Sequence, residues 1–296
     1  MSPRSFLFVP GDSERKLSKS VGSGADALIL DLEDAVAPDR KPAARELVNA
    51  FLRSPRSGAP AQHWVRINAL STADSKLDLA AVAAARPHGL VVPKIDHPAE
   101  LLELSAELAA IEAREHIAPG ATRLIPLMES PRAILAAAEY LRTPLGRLSG
   151  IGWGAEDLGA ALGIRSAREA GGAWRFALSG ARAQCQLVAG ALEIDAIDTV
   201  TTDFRNLDAL RAECVLSYEA GFRGKLAIHP DQVGVINDAF QASTAELEHA
   251  RRVLAAFEAA PGSGAVSLDG TMLDIVHLRA ARRLLDRRGH SGVKTP

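Results

Sequence analysis

Eight short apolar runs punctuate the chain, and each closes on a polar or charged cluster. They are Ser5–Val9, Ala27–Leu30, Trp64–Ile67, Gly89–Val92, Arg123–Leu127, Leu148–Gly152, Ala196–Val200 and Lys225–Ile228. Between them lie segments with a roughly 3.6-residue apolar period: Lys41–Leu52, Ser75–Ala85, Ala99–Glu115, Arg132–Leu141, Leu178–Ala191, Asp208–Ala220 and Asp231–Ala239. Start signals accompany several of them: Asp74 before Ser75, Pro98, Pro131 and Pro230. Strand followed by helix throughout predicts a parallel sheet wrapped by helices. Eight strands whose exits all carry functional groups predict an α/β fold, the (β/α)₈ TIM barrel, because parallel strands deliver those exits to one face.

The tail departs from the repeat. A helical stretch, Glu246–Ala259, is followed by Pro261-Gly262-Ser263-Gly264, a short apolar piece Ala265–Leu268, and a final helical run from about Thr271 to Arg287. The expected organisation is a barrel over residues 1–240 and a C-terminal helical extension over 241–296. With eight strands already placed, the extension is expected to close a barrel mouth as a lid, either its own or a neighbour's. Gly289–Pro296 reads as a frayed end.

Composition narrows the class. The 296 residues are 47% hydrophobic and 24% charged, which suits one large buried core. A formal charge of −2 argues against nucleic acid or another polyanion as the main partner. No run approaches the roughly 18 apolar residues of a membrane span, and the start lacks the pattern of a signal peptide, so a cytoplasmic location is expected. Cys185 and Cys214 form no CxxC pair, which leaves no zinc or disulfide framework; buried positions on helices suit them.

The candidate chemistry gathers at the strand exits. Glu129 follows Leu124-Ile125-Pro126-Leu127-Met128, and Asp157 follows Ile151-Gly152-Trp153-Gly154-Ala155-Glu156. Magnesium takes hard oxygen ligands and often only one or two protein carboxylates, which this pair could supply; the alternative is that each caps or salt-bridges a following helix. Arg66 lies inside an otherwise apolar strand and needs an anionic partner, either Glu33 or Asp34 in a structural pair, or a substrate oxygen beside the metal. Of Asp31, Glu33 and Asp34, the alternating backbone allows no more than two to face inward. Glu33 and Asp34 are candidates to hold metal-bound waters or orient Arg66. Lys94 could meet a carboxylate or phosphate, form a Schiff base, or pair with an acid on a neighbouring strand. Pro10-Gly11-Asp12-Ser13 leads into a helix but lacks a multi-glycine phosphate loop. His229-Pro230 reads as a turn, with no nucleophile motif around it for a hydrolase triad.

Taken in order, Arg4-Ser5-Phe6-Leu7-Phe8-Val9-Pro10-Gly11, Asp31-Leu32-Glu33-Asp34-Ala35-Val36, Val65-Arg66-Ile67-Asn68, Pro93-Lys94, Glu129-Ser130-Pro131, Gly154-Ala155-Glu156-Asp157-Leu158, Ala196-Ile197-Asp198-Thr199-Val200 and Ile228-His229-Pro230 resemble the citrate lyase β-subunit-like, or malyl-CoA and citramalyl-CoA lyase, family. The resemblance runs from about residue 3 to residue 285. It implies a TIM barrel that assembles into a homo-oligomer, a trimer or a multiple of it. It also implies Mg²⁺, or Mn²⁺ in its place, held by Glu129 and Asp157, with Arg66, Glu129, Glu156 and Asp157 around the bound acid. Gly270-Thr271-Met272-Leu273-Asp274 is similar to the family's lid motif, which makes Asp274 the general acid/base, donated in trans. Lys19, Ile228 and His229 correspond to regions that contact coenzyme A, although Ser13 stands where some relatives carry a basic residue.

The implied reaction is cleavage of a 3-hydroxyacyl-CoA thioester into an acyl-CoA and a small 2-oxo acid. Arg66 would hold the enolate oxygen while Asp274 protonates carbon, and a raised pKa is expected for a carboxylate closed under a lid. The alternatives are a thioesterase on the same substrates, a citryl-thioester lyase subunit whose substrate rides on an acyl-carrier protein, and a non-catalytic barrel that binds CoA esters.

Overall fold

The computed structural model describes residues 2–54 and 61–286. The frayed end expected at Gly289–Pro296 lies outside them. The chain forms two compact units, one spanning Pro3–Phe240 and a second beginning at Gln241. No helix among the described residues is long and apolar enough to cross a membrane.

The first unit is a closed barrel of eight parallel strands: β1 (Ser5–Pro10), β2 (Ala27–Asp31), β3 (Gln62–Arg66), β4 (Gly89–Val92), β5 (Arg123–Met128), β6 (Gly150–Trp153), β7 (Asp195–Asp198) and β8 (Gly224–Ala227). Each pairs with the next, and β8 returns to β1. The intervening helices are α1 (Glu14–Ser20), α2 (Lys41–Arg53), α3 (Ala73–Val82), α4 (Glu100–Arg114), α5 (Pro131–Leu135), α6 (Ala155–Ala161), α7 (Phe176–Ala191), α8 (Leu207–Glu219) and α9 (Asp231–Ala239).

Period-two alternation sorts the strand residues into two cores. Phe6, Ala27, Ile29, Trp64, Val91, Ile125, Leu127, Ile197 and Leu226 fill the barrel interior, whereas Leu7, Leu28, Leu30, Val65, Leu90 and Val92 pack outward against the helices. Both faces being covered, the strands read as near-continuous apolar runs. Gly89 makes room for the Trp64 ring: a Cβ there would lie 2.3 Å from it.

Several boundaries move for local reasons. Leu148 makes only an isolated bridge to Leu124, so β6 starts at Gly150. The helix expected over Arg132–Leu141 is α5 followed by a tighter 3₁₀ turn, Ala137–Leu141, which buries Ala137 and Tyr140 three residues apart. Asp74 lies inside the first turn of α3 and pairs with Arg45 rather than capping the helix.

In the second unit, α10 (Thr244–Glu258) starts with a capping box in which Ser243 and Glu246 satisfy each other's backbone N–H groups. A helix beginning near Thr271 is not what forms. Instead β9 (Ala265–Leu268) and β10 (Thr271–Asp274) make an antiparallel hairpin, and α11 (Ile275–Asp286) follows. The reason is the two-residue turn Asp269-Gly270, both left-handed with φ of 52° and 79°, the geometry that matches the twist of paired strands. Val253, Phe257, Leu273, Leu278 and Ala281 form this unit's own apolar core.

Candidate active site

At the C-terminal ends of β2 to β6 the barrel gathers acidic and basic side chains around a common centre. Arg66, the last residue of β3, leans on the neighbouring strand. Its Nε donates to Asp31 Oδ1 at 2.7 Å and its Nη2 to Asp31 Oδ2 at 2.6 Å, a two-point grip on the last residue of β2. Nη1 sits 3.1 Å from Glu33 Oε2, and the guanidinium lies 4.6 Å from the centre of the Phe8 ring. Burial opposes the charge on Arg66, but Asp31, Glu33 and Glu129 together outweigh it and hold the guanidinium firmly protonated. Arg66 is therefore a fixed cation with a locked orientation.

Sequence reasoning offered Glu33 or Asp34 as the partner of Arg66. Glu33 is one, but Asp31 is the principal one. The signal was present: Ala27 and Ile29 face the barrel interior, so Asp31, two residues further on, must face it too. Glu33 is buried, while the Asp34 side chain is 54% exposed.

Lys94 occupies a left-handed conformation with φ of 53°, two residues past the end of β4. That turn aims its backbone N–H at Glu129 Oε1, 2.7 Å away, and sends its ammonium to Glu33 Oε1 at 2.6 Å and Asp34 at 3.1 Å. Burial opposes the charge on Lys94, yet Glu33 and Asp34 raise its pKa. A Schiff-base lysine needs a lowered pKa, so the pairing with neighbouring acids is the reading the geometry supports.

Glu129 is almost wholly buried at the β5 exit. Gly154 leaves it space: a Cβ on that residue would fall 2.6 Å from Glu129 Oε2. Burial first, and then the negative charge of Asp157, push the Glu129 carboxyl up to about 8, despite the Lys94 amide and Arg66. Asp157, in the first turn of α6, is thus close enough to act on Glu129 electrostatically. Glu33 is also raised, by burial first, against the pull of Arg66 and Lys94.

The centre holds five carboxylates, Asp31, Glu33, Asp34, Glu129 and Asp157, against two cations, Arg66 and Lys94. Such a site lacks positive charge. Among the described residues no cluster of three or more His, Cys, Asp or Glu forms a protein cage for a metal. A pair of hard carboxylates, one of them pushed up to about 8 by burial and by the charge of the other, fits magnesium, which keeps several waters or substrate oxygens.

The remaining expected residues are more dispersed. Glu156 is exposed on α6, and Lys19 is exposed in the last turn of α1. Ile228 is 40% exposed after β8. The His229 ring stacks on Phe204 with centroids 4.6 Å apart, and its Nδ1 accepts the Asp231 N–H at 3.3 Å. Asp274 ends β10 in the second unit and is exposed; its Oδ1 accepts the Val276 N–H at 2.9 Å and lies 2.8 Å from His277 Nδ1. These bonds, His277 foremost, lower the Asp274 pKa. The raised value expected for a lid carboxylate is therefore not what the chain has, because the side chain caps α11 in the open.

Residues 4–230 match the HpcH/HpaI aldolase/citrate lyase family. The chain is 37% identical over 284 residues to a (3S)-malyl-CoA thioesterase of Cereibacter sphaeroides, covering 95% of this chain and 93% of that protein. It is 36% identical over 293 residues to the citrate lyase subunit beta of Escherichia coli K12, covering 98% and 95%. Among solved structures, protein CitE of Mycobacterium tuberculosis in complex with magnesium, acetoacetate and coenzyme A superposes with a TM-score of 0.77 at 35% identity, over 97% of this chain and 98% of that one. The citrate lyase beta subunit of the same organism, complexed with oxaloacetate and magnesium, gives 0.69 at 33% identity, over 81% and 98%.

Proposed function

The chain belongs to the HpcH/HpaI aldolase/citrate lyase family, and we propose that it is a magnesium-dependent carbon–carbon lyase. Its substrate is a 3-hydroxyacyl-CoA thioester of the citramalyl-CoA or malyl-CoA type, cleaved to an acyl-CoA and a 2-oxo acid. The observation that carries this reading is the surplus of carboxylates around Glu129 and Asp157 beside the locked cation Arg66. An anionic substrate needs a cation to enter so negative a site. The magnesium-bound relatives are consistent with it.

Glu129 and Asp157 would hold the metal, which supplies a Lewis acid that lowers the pKa of the substrate hydroxyl. Asp274, the proposed general acid/base, acts first as a base. It takes the hydroxyl proton as the carbon–carbon bond breaks and returns it to the enolate carbon of the thioester. Arg66, immobilised by Asp31, donates to the enolate oxygen where negative charge develops. Glu33 and Lys94 keep Arg66 and Glu129 in register. In this reading the second unit is a lid over the barrel of another copy, and a homotrimer or multiple of it is the working form. Lys19, Ile228 and His229 are the proposed coenzyme A contacts, and Glu156 borders the acid pocket. The site belongs to a cytoplasmic enzyme in this reading.

Thioester hydrolysis is the second reading, favoured by the malyl-CoA thioesterase relative. Incubating the protein with Mg²⁺ and malyl-, methylmalyl-, citramalyl- and citryl-CoA separates the two. A lyase releases an acyl-CoA with a 2-oxo acid; an esterase releases free CoA and the intact hydroxy acid. Absence of any keto acid across the panel would refute the lyase.

A further inference from the structure

Helix α6 carries Asp157 but has no side chain to cap it. Its N-cap residue is Gly154, and the first-turn N–H of Ala155 would be left unpaired. The partner comes from the next strand: Thr199 Oγ1 accepts the Ala155 N–H at 3.1 Å. Ala155 and Asp157 share that first turn, so whatever fixes Thr199 also fixes where the Asp157 carboxylate emerges.

Thr199 itself is held between buried charges. Its N–H donates to Asp198 Oδ1 at 3.0 Å, and its carbonyl accepts Lys225 Nζ at 2.6 Å. Both charged side chains are fully buried. Asp198 also accepts Trp153 Nε1 at 2.7 Å, Arg182 Nη2 at 3.1 Å and the Ser217 hydroxyl. Lys225 lies 2.9 Å from Glu213 Oε1, which Arg168 approaches at 2.8 Å. Because Trp153 is the last residue of β6, Asp198 and Thr199 grip the chain on both sides of Gly154. This is also why β7 ends at Asp198 and not at Val200: the next peptide bonds to side chains instead of the sheet.

Buried ion pairs are poor stabilisers, since removing two charges from water costs about what their attraction returns. Apolar residues of similar volume could hold a purely structural seam between β7, β8 and their helices at least as well. What the charges achieve is a Thr199 peptide with a single allowed position. Burial alone would raise the Asp198 pKa, yet Lys225 and Arg182 hold it at about 2, so the grip persists across the working pH range.

We propose that Thr199, clamped by Asp198 and Lys225, is a positioning residue that sets the Asp157 carboxylate for the divalent metal through a cross-strand cap on α6. The proposal rests on the metal reading of Glu129 and Asp157. Outer partners of this kind change metal affinity by about 10- to 100-fold when removed.

The test is Mn²⁺ binding to the full chain, followed by electron paramagnetic resonance, with thermal melts alongside. Thr199→Val keeps the shape and removes the acceptor; it should weaken Mn²⁺ binding about 10- to 100-fold. Thr199→Ser restores the hydroxyl and should bind within about twofold of the parent, which a loss of packing alone would not predict. A Thr199→Val protein that melts earlier but binds Mn²⁺ as tightly as the parent would show a merely structural role and overturn the proposal. If Thr199→Val does not fold, Trp153→Phe cuts the indole link to Asp198 without touching the cap. It should weaken Mn²⁺ about tenfold, and unchanged affinity would overturn the proposal. A parent that binds no Mn²⁺ brings down the metal reading itself; a parent that binds, with Asp157→Asn that does not, keeps that reading while Thr199→Val is judged alone.

Discussion

Lys94 donates its backbone N–H to Glu129 at 2.7 Å only because its own backbone is left-handed, with φ of 53°. A side chain in that region costs about 1–2 kcal/mol, and glycine avoids the cost. Lysine is nevertheless present, because its ammonium neutralises Glu33 and Asp34. Backbone strain and a buried carboxylate are thus tied together in one residue.

Two substitutions separate those roles. Lys94→Gly and Lys94→Ala both lose the ammonium and keep the amide donor. The glycine variant should be the more stable by roughly 1 kcal/mol in urea denaturation, since it alone relieves the left-handed strain. Equal stabilities would mean that residue 94 does not adopt this conformation in solution. Borohydride added with a 2-oxo acid should leave no reduced adduct on Lys94 by mass spectrometry, because its pKa is raised.

Replacing Glu129 by Gln or Asp157 by Asn should abolish Mg²⁺-dependent turnover while the circular dichroism spectrum stays that of the parent. Glu129→Gln should not destabilise the metal-free chain at pH 8, since it removes a carboxylate whose charge is already disfavoured there. Full turnover in both variants would remove the metal from the reaction.

The raised Glu129 pKa has a definite sign. Below about 4.5 the carboxyl is protonated in both folded and unfolded chains and contributes nothing to the pH dependence. Between 4.5 and about 8 the unfolded chain has released the proton that the folded chain keeps, so metal-free stability falls as pH rises. The loss is on the order of 5 kcal/mol at about 1.4 kcal/mol per pH unit, and it levels off above 8. Magnesium binds the ionised form, so its affinity should climb over the same interval, with proton release. The shift in melting temperature on adding Mg²⁺ should be larger at pH 8.5 than at pH 6; a shift independent of pH contradicts the assignment.

Asp31→Asn leaves Arg66 with Glu33 as its charged partner. Breaking a buried pair from one side typically costs about 3–5 kcal/mol, so this variant should be strongly destabilised and inactive. Arg66→Lys keeps a charge but cannot grip Asp31 at two points, and should lose turnover more than stability. Retained turnover in Arg66→Lys would argue that charge alone suffices.

Asp274→Asn should lose turnover yet still bind the CoA ester in an equilibrium titration. Equal loss of binding would instead make Asp274 a cap whose work is to start α11, the role its bonds to Val276 and His277 already describe.

The sequence by itself determined the eight strands, the helices between them other than the short α6, and the acidic residues at the strand exits, because these follow from local periodicity and from the geometry of parallel strands. It also contained the Asp269-Gly270 hairpin turn, a local signal that outranks the helical composition of the residues after it. Tertiary structure alone decided which of the inward-facing acids Arg66 grips, that Lys94 turns left-handed to reach Glu129, and that Thr199 caps a helix that follows another strand. Those bonds join residues some 35 to 44 positions apart along the chain. No local pattern encodes such a partner, because strand register and burial choose it only when the barrel closes.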